Sequence, residues 1–336
     1  MKSYRVNGAS PDALKLCEEP IPTLQRGEVL IEVHAVSLNY RDLVLMEGRL
    51  LKPTLTHPIP GSDGAGRVIE VGEGVSDFRI GDRVIGAFHP RWFGGGKIKD
   101  RFSGVYGRSH DGWFTEYKVV SQEAIVALPE PLTYEQGATL PCAAVTAWVA
   151  LTGQQPIKAG ETVLTLGTGG VSLFALQYAK AMGARVIATT SSVEKAQRLK
   201  GLGADEVINY RETPQWHEQV LQMTQGQGVQ RVVEVGGPAT IGQSLKAVAY
   251  DGEVVLVGYL GENGPPLTYF DIMGSGASLR STSVGDRVAL TDCVRATACS
   301  AIKPVIDQVF AFDQARDALA HLKTARHFGK VVVRVR

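Results

Sequence analysis

The sequence predicts an α/β protein with two domains, one on a doubly wound parallel sheet and one on a β-barrel-like sheet. Three observations support this: a glycine turn between a strand and a helix, apolar runs alternating with helical segments, and short β-type runs near the N-terminus. The chain has 336 residues, 44% hydrophobic, with 38 glycines. Two domains of ordinary size are therefore expected. We place the β-barrel-like domain at residues 1–126 and 284–336, and the parallel-sheet domain at 127–283.

Short β-type runs separated by glycines characterise the N-terminal region. Helical periodicity is sparse there, which favours a barrel-like sheet over a second layered α/β sheet. The segment 89–110 interrupts this pattern, contains Gly94 to Gly96 and is predicted to be a loop. The predicted strands are Val29–Val36, Gly64–Glu70, Arg83–Phe88, Thr115–Val120 and Ala124–Leu128.

Strands and helices alternate from Tyr134 onward. Continuous apolar strands separated by helices are typical of a parallel sheet covered on both faces. Residues 303–336 add the helix Phe312–Leu322 and the strand Lys330–Arg336, which we expect to return to the first domain. The predicted strands of the parallel sheet are Thr162–Leu166, Arg185–Thr190, Glu206–Ile208, Arg231–Val235 and Glu253–Val257. The predicted helices include Tyr134–Leu151, Ser192–Leu202, Pro214–Thr224, Thr240–Val248 and Arg287–Ile302.

The glycine turn lies between the strand Thr162–Leu166 and an apolar helix that begins near Val171. Gly167, Gly169 and Gly170 permit a tight turn and a close backbone approach to a pyrophosphate. The free N–H groups and the positive end of the helix stabilise the phosphate charge. Ser172 replaces the third glycine of the G-x-G-x-x-G pattern. Together with the second strand, this order indicates a Rossmann dinucleotide-binding unit.

The residues at the end of the predicted strand Arg185–Thr190 indicate which dinucleotide is bound. Folds specific for NAD usually place an acid there, which accepts hydrogen bonds from the ribose 2′-hydroxyl. Here Thr190 and Ser191 offer hydroxyl donors instead, and Lys195 adds a positive charge suited to a 2′-phosphate. NADPH is therefore favoured over NADH. The alternative is that Ser192 is only a helix N-cap and Lys195 only an exposed helix charge.

Overall composition excludes several classes of partner. The chain carries 35 basic and 34 acidic residues, a net charge of +1, so an electrostatic partnership with nucleic acid or an anionic membrane is not expected. No signal peptide or membrane-spanning segment is recognisable, so we expect a cytoplasmic protein with a small-molecule substrate. The four cysteines form no C-x-x-C pair and suggest no disulfide framework or four-thiolate zinc site.

Several motifs together resemble the medium-chain dehydrogenase/reductase superfamily. They are PGSDGAGRVIEVGEGV at Pro60–Val75, the glycine turn GTGGVS, and HFGKVVVRV near the C-terminus. SLNYRD at Ser37–Asp42 and LPCAAVTAW at Leu140–Trp148 look most like the zinc-free, quinone-oxidoreductase-like branch, often labelled zinc-type alcohol dehydrogenase. The resemblance covers nearly the whole chain. It implies that the β-barrel-like domain has the GroES-like fold.

The resemblance also identifies the positions at which zinc-dependent members hold their metal. A cysteine, a histidine next to a glutamate, and a second cysteine are expected there; this chain has Asn39, Ser62 with Asp63, and Cys142. A catalytic zinc needs about three nitrogen, sulfur or carboxylate ligands, so we expect no zinc. Without a Lewis acid, alcohol oxidation is disfavoured. Reduction of a quinone or an α,β-unsaturated carbonyl needs only positioning and hydrogen-bond donors.

The resemblance further implies roles for individual residues. Asn39, Tyr40 and Asp42 are the candidate catalytic residues, with Tyr40 or solvent as the proton source; the alternative for Asp42 is a local ion pair with Arg41. Ser62, Asp63, Trp92 and Cys142 are candidates for the substrate pocket, and Trp92 is alternatively a loop anchor. Further cofactor contacts are implied at Thr146, Tyr210, Val235, Gly258, Tyr259, Leu260 and Lys330, although a lysine that begins a terminal strand is usually solvated.

Two other functions stay open at this point. One is a zinc-dependent alcohol dehydrogenase, and the other is a sensor that binds NADPH without turnover. A homodimer is expected from the family, formed through Ser278–Val284 as an edge strand of the cofactor-binding sheet.

Overall fold

The computed structural model describes residues 1–8, 13–49, 55–97, 104–261 and 263–336. It divides into two compact units, Met1–Val145 with Val284–Arg336, and Thr146–Ser283. The chain first passes from one unit to the other after Val145, not after residue 126 as the sequence suggested. The reason is that the helical segment beginning at Tyr134 packs on strands of the first unit.

Fifteen strands are formed within the described residues. They are β1 (Lys2–Val6), β2 (Leu14–Glu18), β3 (Glu28–Ser37), β4 (Asp63–Val71), β5 (Arg83–Gly86), β6 (Tyr117–Ser121), β7 (Ile125–Ala127), β8 (Thr162–Thr165), β9 (Arg185–Thr190), β10 (Glu206–Asn209), β11 (Val229–Glu234), β12 (Val248–Leu256), β13 (Ser278–Ser281), β14 (Ile306–Ala311) and β15 (Lys330–Arg334).

The α-helices of the same residues are numbered in chain order. They are α1 (Tyr40–Met46), α2 (Tyr134–Ala138), α3 (Val145–Thr152), α4 (Gly170–Ala181), α5 (Val193–Gly201), α6 (Trp216–Met223), α7 (Ile241–Ala247), α8 (Tyr269–Ser275), α9 (Arg287–Cys299) and α10 (Ala315–Lys323). None of the helices described is both long and apolar enough to cross a bilayer.

The first unit is built on a seven-stranded sheet in the order β14-β15-β3-β4-β5-β7, with β6 also paired to β3. Apart from the parallel pair β14 and β15, neighbouring strands are antiparallel. In the registers, Ser37 at the end of β3 faces both Asp63 on β4 and Val332 on β15. The segments that follow β3 and begin β4 and β15 are therefore brought to one place.

A parallel sheet of six strands forms the second unit, in the order β10-β9-β8-β11-β12-β13. This is the doubly wound order, with β8 and β11 at the point where the winding reverses. The prediction of a Rossmann sheet is confirmed. The inner strands β8, β9, β11 and β12 are mostly buried, as their apolar residues predicted, whereas the edge strands β10 and β13 are more exposed.

Several elements differ from the sequence predictions. The single helix predicted at Tyr134–Leu151 is wrong: α2 and α3 are separated by a π-type turn at Leu140–Ala144, because Pro141 cannot continue the hydrogen-bond ladder. The hairpin of β1 and β2, helices α1 and α8, and strand β14 were not predicted. Of the predicted loop 89–110, residues 98–103 lie outside the described residues.

Candidate functional site

The glycine turn of the second unit is shaped to receive an anion. Gly167 has φ +72°, a left-handed conformation that favours glycine. A Cβ added at Gly167 or at Gly169 would meet no atom within 4 Å. Gly169 is the N-cap of α4, and no side chain caps this end of the helix. The free N–H groups at the start of α4 thus face open space, the arrangement in which helices bind phosphates.

Ser172 has a definite role in the position where the glycine pattern is broken. Its hydroxyl is buried and donates to the Leu166 carbonyl at 2.6 Å, which ties the first turn of α4 to the end of β8. The Gly167 N–H donates to the Thr189 hydroxyl at 3.2 Å, and this links the turn to β9. Both bonds hold the glycine turn in place without occupying the space beside it.

The end of β9 presents the hydroxyl groups that the sequence singled out. The Thr190 hydroxyl is buried and has no hydrogen-bond partner within the described chain. The Tyr210 N–H donates to the Thr190 carbonyl at 2.9 Å, and the Tyr210 side chain is 40% exposed. Ser192 caps α5 by accepting from the Lys195 N–H at 3.2 Å, so the capping alternative for Ser192 is correct. An unpaired buried hydroxyl is the kind of donor that a bound ribose phosphate would satisfy.

The loops that follow β11 and β12 are joined backbone to backbone. The Val257 and Gly258 N–H groups donate to the Glu234 carbonyl, and a Cβ on Gly258 would lie 2.3 Å from the Val235 oxygen. Sequence reasoning named Val235, Gly258, Tyr259 and Leu260 but missed Glu234, whose buried carboxylate holds this region together. It accepts hydrogen bonds from Gly236 N, Gly237 N, Thr240 Oγ1 and Ser244 Oγ.

In the first unit, Lys330 is buried at the start of β15 and is not solvated. Its Nζ donates to the Leu38 carbonyl at 2.5 Å and to Asn39 Oδ1 at 2.6 Å. Because an ammonium can only donate, the oxygen of the Asn39 amide must face Lys330 and the nitrogen must face away.

The amide nitrogen of Asn39 continues the chain of hydrogen bonds. Its Nδ2 donates to Ser62 Oγ at 3.3 Å, and Ser62 Oγ donates to Asp63 Oδ1 at 2.7 Å. The Cys142 N–H donates to Asp63 Oδ2 at 3.1 Å. We call the set Lys330, Asn39, Ser62, Asp63 and the Cys142 backbone amide the polar relay. From Lys330 through Asn39 to Ser62, each donor points toward the Asp63 carboxylate, which also accepts from the Cys142 N–H.

Burial dominates the titration of the acids near the relay. It raises the pKa of Asp63, although the charge of Lys330 and hydrogen bonds from its neighbours oppose the shift. It raises the pKa of Asp42 to about 6, with Arg41 opposing it. Burial, with the nearby Asp63 charge, also raises the pKa of the Cys142 thiol. At neutral pH this sulfur is a protonated thiol.

Three candidates lie in helix α1 or beside it. The Asn39 N–H donates to Asp42 Oδ2 at 2.8 Å, which closes a capping box at the start of α1. Arg41 Nη1 lies 3.4 Å from Asp42 Oδ1, so the local ion pair considered for these residues is present. The Tyr40 hydroxyl accepts from Arg49 at 3.4 Å. Asp42 therefore positions Asn39 through the backbone.

The hydrogen bonds described for Trp92 are to residues outside the polar relay. Its side chain is buried, its Nε1 donates to the Gly95 carbonyl at 3.1 Å, and its carbonyl accepts from the Arg287 N–H at 3.1 Å. Its ring also packs edge-on against His89 at 5.5 Å. These contacts are those of a loop anchor.

Comparison with known proteins gives the family. The alcohol dehydrogenase GroES-like domain family matches residues 25–130, and the zinc-binding dehydrogenase family matches residues 170–298. A zinc-type alcohol dehydrogenase-like protein of Schizosaccharomyces pombe is 42% identical over 331 residues, covering 96% of each chain. The chain belongs to the medium-chain dehydrogenase/reductase superfamily.

Solved structures of this superfamily of oxidoreductases agree with the assignment. A putative alcohol dehydrogenase from Sinorhizobium meliloti has a TM-score of 0.92 and 40% identity, covering 99% of this chain and 98% of its own. Escherichia coli quinone oxidoreductase complexed with NADPH has a TM-score of 0.85 and 25% identity, with all of both chains covered. A nicotinamide dinucleotide cofactor is consistent with the open glycine turn and the unpaired Thr190 hydroxyl.

The zinc that some superfamily members carry does not fit the donors of the relay. Asn39 offers an amide and Ser62 a hydroxyl, and both oxygens of Asp63 already accept hydrogen bonds. Cys142 is then the one thiol at these positions, fewer than the about three nitrogen, sulfur or carboxylate ligands that a catalytic zinc needs. Nor does the described part of the chain contain another group of three or more His, Cys, Asp or Glu side chains suited to a metal.

Proposed function

We propose that this protein is an NADPH-dependent oxidoreductase that reduces quinones or α,β-unsaturated carbonyl compounds by hydride transfer without a metal. One observation carries the proposal. The positions that hold zinc in metal-dependent relatives form a hydrogen-bonded relay with its own buried cation, Lys330, in place of a ligand set. The likeness to a quinone oxidoreductase that binds NADPH supports it further.

Hydride transfer to a conjugated acceptor can be assisted by hydrogen-bond donors held in fixed positions. Bound NADPH supplies a hydride, and a conjugated acceptor spreads the resulting negative charge onto its oxygen, so positioned hydrogen-bond donors suffice. Lys330 uses two of its three N–H groups on Leu38 and Asn39, and the third is available to an oxygen of a ligand. In this proposal Asn39 and Lys330 orient the reactants. The remaining proton comes from the Tyr40 hydroxyl or from solvent.

We base the proposed preference for NADPH on the hydroxyl groups at the end of β9. Thr190 carries an unpaired buried hydroxyl, Ser191 follows it, and Tyr210 lies on the adjacent strand end. No acid occupies the strand end to repel a 2′-phosphate. Lys195, in the first turn of α5, adds a positive charge.

The test begins with fluorescence titrations of the purified protein with NADPH and NADH, and of a Ser191→Asp variant with both. We expect tighter binding of NADPH by the wild type, and loss of that preference in the variant because the carboxylate repels the phosphate. A Ser76→Asp variant, changed at an exposed serine of the other unit, is the control and should keep the preference. Tighter binding of NADH by the wild type would refute the cofactor assignment.

Turnover and metal content complete the test. Oxidation of NADPH should proceed with a panel of quinones and enones, and zinc should be far below one ion per chain in protein purified without chelators. Stoichiometric zinc with oxidation of alcohols would instead support a zinc-dependent alcohol dehydrogenase. Tight NADPH binding without turnover of any acceptor would support a sensor.

A further inference from the structure

Arg41 is largely buried, but one edge of its guanidinium group has no partner. Its side chain is 11% exposed. Nη1 donates to Asp42 Oδ1 at 3.4 Å and to the Tyr106 carbonyl at 3.3 Å, and Cζ lies 5.0 Å from the centroid of the Phe88 ring. Within the described residues, Nε and Nη2 make no hydrogen bond. These two nitrogens form an edge of the guanidinium that can bind a carboxylate through two parallel hydrogen bonds.

The contacts that Arg41 makes are weak supports for a largely buried charge. Asp42 accepts a hydrogen bond of 2.8 Å from the Asn39 N–H, whereas the one from Arg41 is 3.4 Å long. Arg41 also lies in the first turn of α1, where a positive charge opposes the helix dipole. Neither Nε nor Nη2 is among the fully buried polar atoms without a partner in the described chain, so this edge is open to an incoming group. A cation in this setting is stabilised by an anion that pairs with it.

Arg41 lies near the same groups as the polar relay. Burial raises the pKa of the Cys142 thiol, and the charges of Lys330 and Arg41 both oppose this rise. Burial also raises the pKa of Asp42, and the same two cations oppose that rise as well. Because a charge shifts a pKa only from nearby, the Arg41 guanidinium and the Lys330 ammonium group belong to one site of the first unit.

Given the proposed function, on which this assignment depends, we propose that Arg41 binds a carboxylate of the acceptor. The substrates are then conjugated carbonyl compounds that also carry an acid group. Lys330 keeps one N–H group for the carbonyl oxygen that gains charge during hydride transfer, and the forked edge of Arg41 fits the acid group. A neutral quinone would leave that edge unpaired. The phosphates of the dinucleotide can use the free N–H groups of the glycine turn instead.

Acetylacrylate and its methyl ester, two conjugated acceptors that differ only at the carboxyl group, test the proposal. In either reaction a hydride from NADPH and a proton add across the carbon–carbon double bond, giving the saturated ketone and NADP⁺. The wild type should reduce the acid with a kcat/KM roughly 10- to 100-fold above that for the ester, the effect of a charge-assisted contact. Equal values for the acid and the ester would overturn the proposal.

Variants at Arg41 assign the preference to this side chain. Arg41→Met should lower kcat/KM for the acid and leave that for the ester nearly unchanged, and Arg41→Lys, which keeps the charge without the fork, should retain only part of the preference. Arg83→Met is the matched control, because Arg83 also lies over an aromatic ring, that of Tyr134 at 4.7 Å, and donates to backbone carbonyls of the same unit. It should keep the wild-type preference. An equal loss with both acceptors in Arg41→Met would indicate a structural role and overturn the proposal.

Binding measurements separate this proposal from the proposed function. NADPH should bind to Arg41→Met as tightly as to the wild type; a large loss would mean that Arg41 holds a phosphate of the cofactor and would overturn the proposal. Levulinate, the saturated product of acetylacrylate, should bind to the complex of the protein with NADP⁺, roughly 10-fold or more weakly in Arg41→Met. If no acceptor is turned over but levulinate binding depends on Arg41, the proposed function fails and the carboxylate site is supported. Levulinate binding that Arg41→Met does not change would refute the site.

Discussion

A double-mutant cycle on the ends of the polar relay tests whether its two charges stabilise each other. Lys330→Met removes two charge-assisted hydrogen bonds, to Leu38 at 2.5 Å and Asn39 at 2.6 Å. Such bonds contribute roughly 1.5–3 kcal/mol each, and relief from burying the ammonium offsets part of the loss. We therefore expect the free energy of unfolding to fall by about 3 kcal/mol.

At the other end, Asp63→Asn should lower the free energy of unfolding by about 2 kcal/mol, because an amide cannot accept from both Ser62 and the Cys142 N–H. The charge of Lys330 opposes the rise in the pKa of Asp63, so the two charged side chains interact. Each single variant loses this same interaction. The double variant should therefore lose about 1–2 kcal/mol less than the sum of the single variants.

Urea unfolding followed by circular dichroism measures the four free energies. The control pairs Asp63→Asn with Lys118→Met, another buried lysine of the first unit, which donates to the carbonyls of Asp111 and Gly112. Lys118 is not among the charges that shift Asp63, so this pair should be additive within about 0.5 kcal/mol. If the Lys330 pair is equally additive, the relay is not an energetic unit and the reasoning fails.

Three further predictions follow from the site. Gly169→Ala should fold normally but weaken NADPH binding by roughly 10-fold or more, because its methyl group enters the space left for phosphate; Gly201→Ala, equally unhindered, should not. Burial moves the Asp42 pKa from 3.8 to about 6, so the folded state binds more protons between these values. The contribution of Asp42 to the free energy of unfolding should therefore fall by about 3 kcal/mol as pH rises from about 3 to 7. Urea titrations of the wild type and of Asp42→Asn measure this contribution as the difference between the two proteins at each pH, and a difference that does not change with pH would contradict the assignment. Glu234→Gln should lower the free energy of unfolding by about 3 kcal/mol, because the amide nitrogen would face one of the N–H or O–H donors that the carboxylate now accepts from. Calorimetry that shows no change would contradict this.

The sheet of the second unit was readable from the sequence because parallel strands are buried on both faces. Each of its first five strands contains neighbouring apolar or β-branched residues, and the length and spacing of these segments were enough to predict strands. Helix α1 was not readable, since its seven residues carry a short apolar run that also suits a strand. The single helix predicted across Pro141 failed because the apolar periodicity continues through the π-type turn, where the hydrogen bonds change from the α-helical pattern, as in the bond from the Val145 N–H to the Leu140 carbonyl.

The candidate site was predictable residue by residue but not as a network. Resemblance named Asn39, Ser62, Asp63 and Lys330, yet no local pattern joins residues 291 positions apart, such as Lys330 and Asn39. Only the registers of β3 with β4 and β15 bring them together. Glu234 carried a weak signal: an acid ending a buried strand, before two glycines whose N–H groups it accepts.

The hydrogen bond from residue 142 to Asp63 comes from the main chain, at the turn created by Pro141. Any amino acid except proline supplies that N–H. Substitutions at position 142 can therefore alter volume and polarity next to the carboxylate while leaving its anchorage intact. Among the residues of the polar relay, position 142 can therefore be substituted, in evolution or in a redesign of acceptor preference, without loss of a hydrogen bond to Asp63.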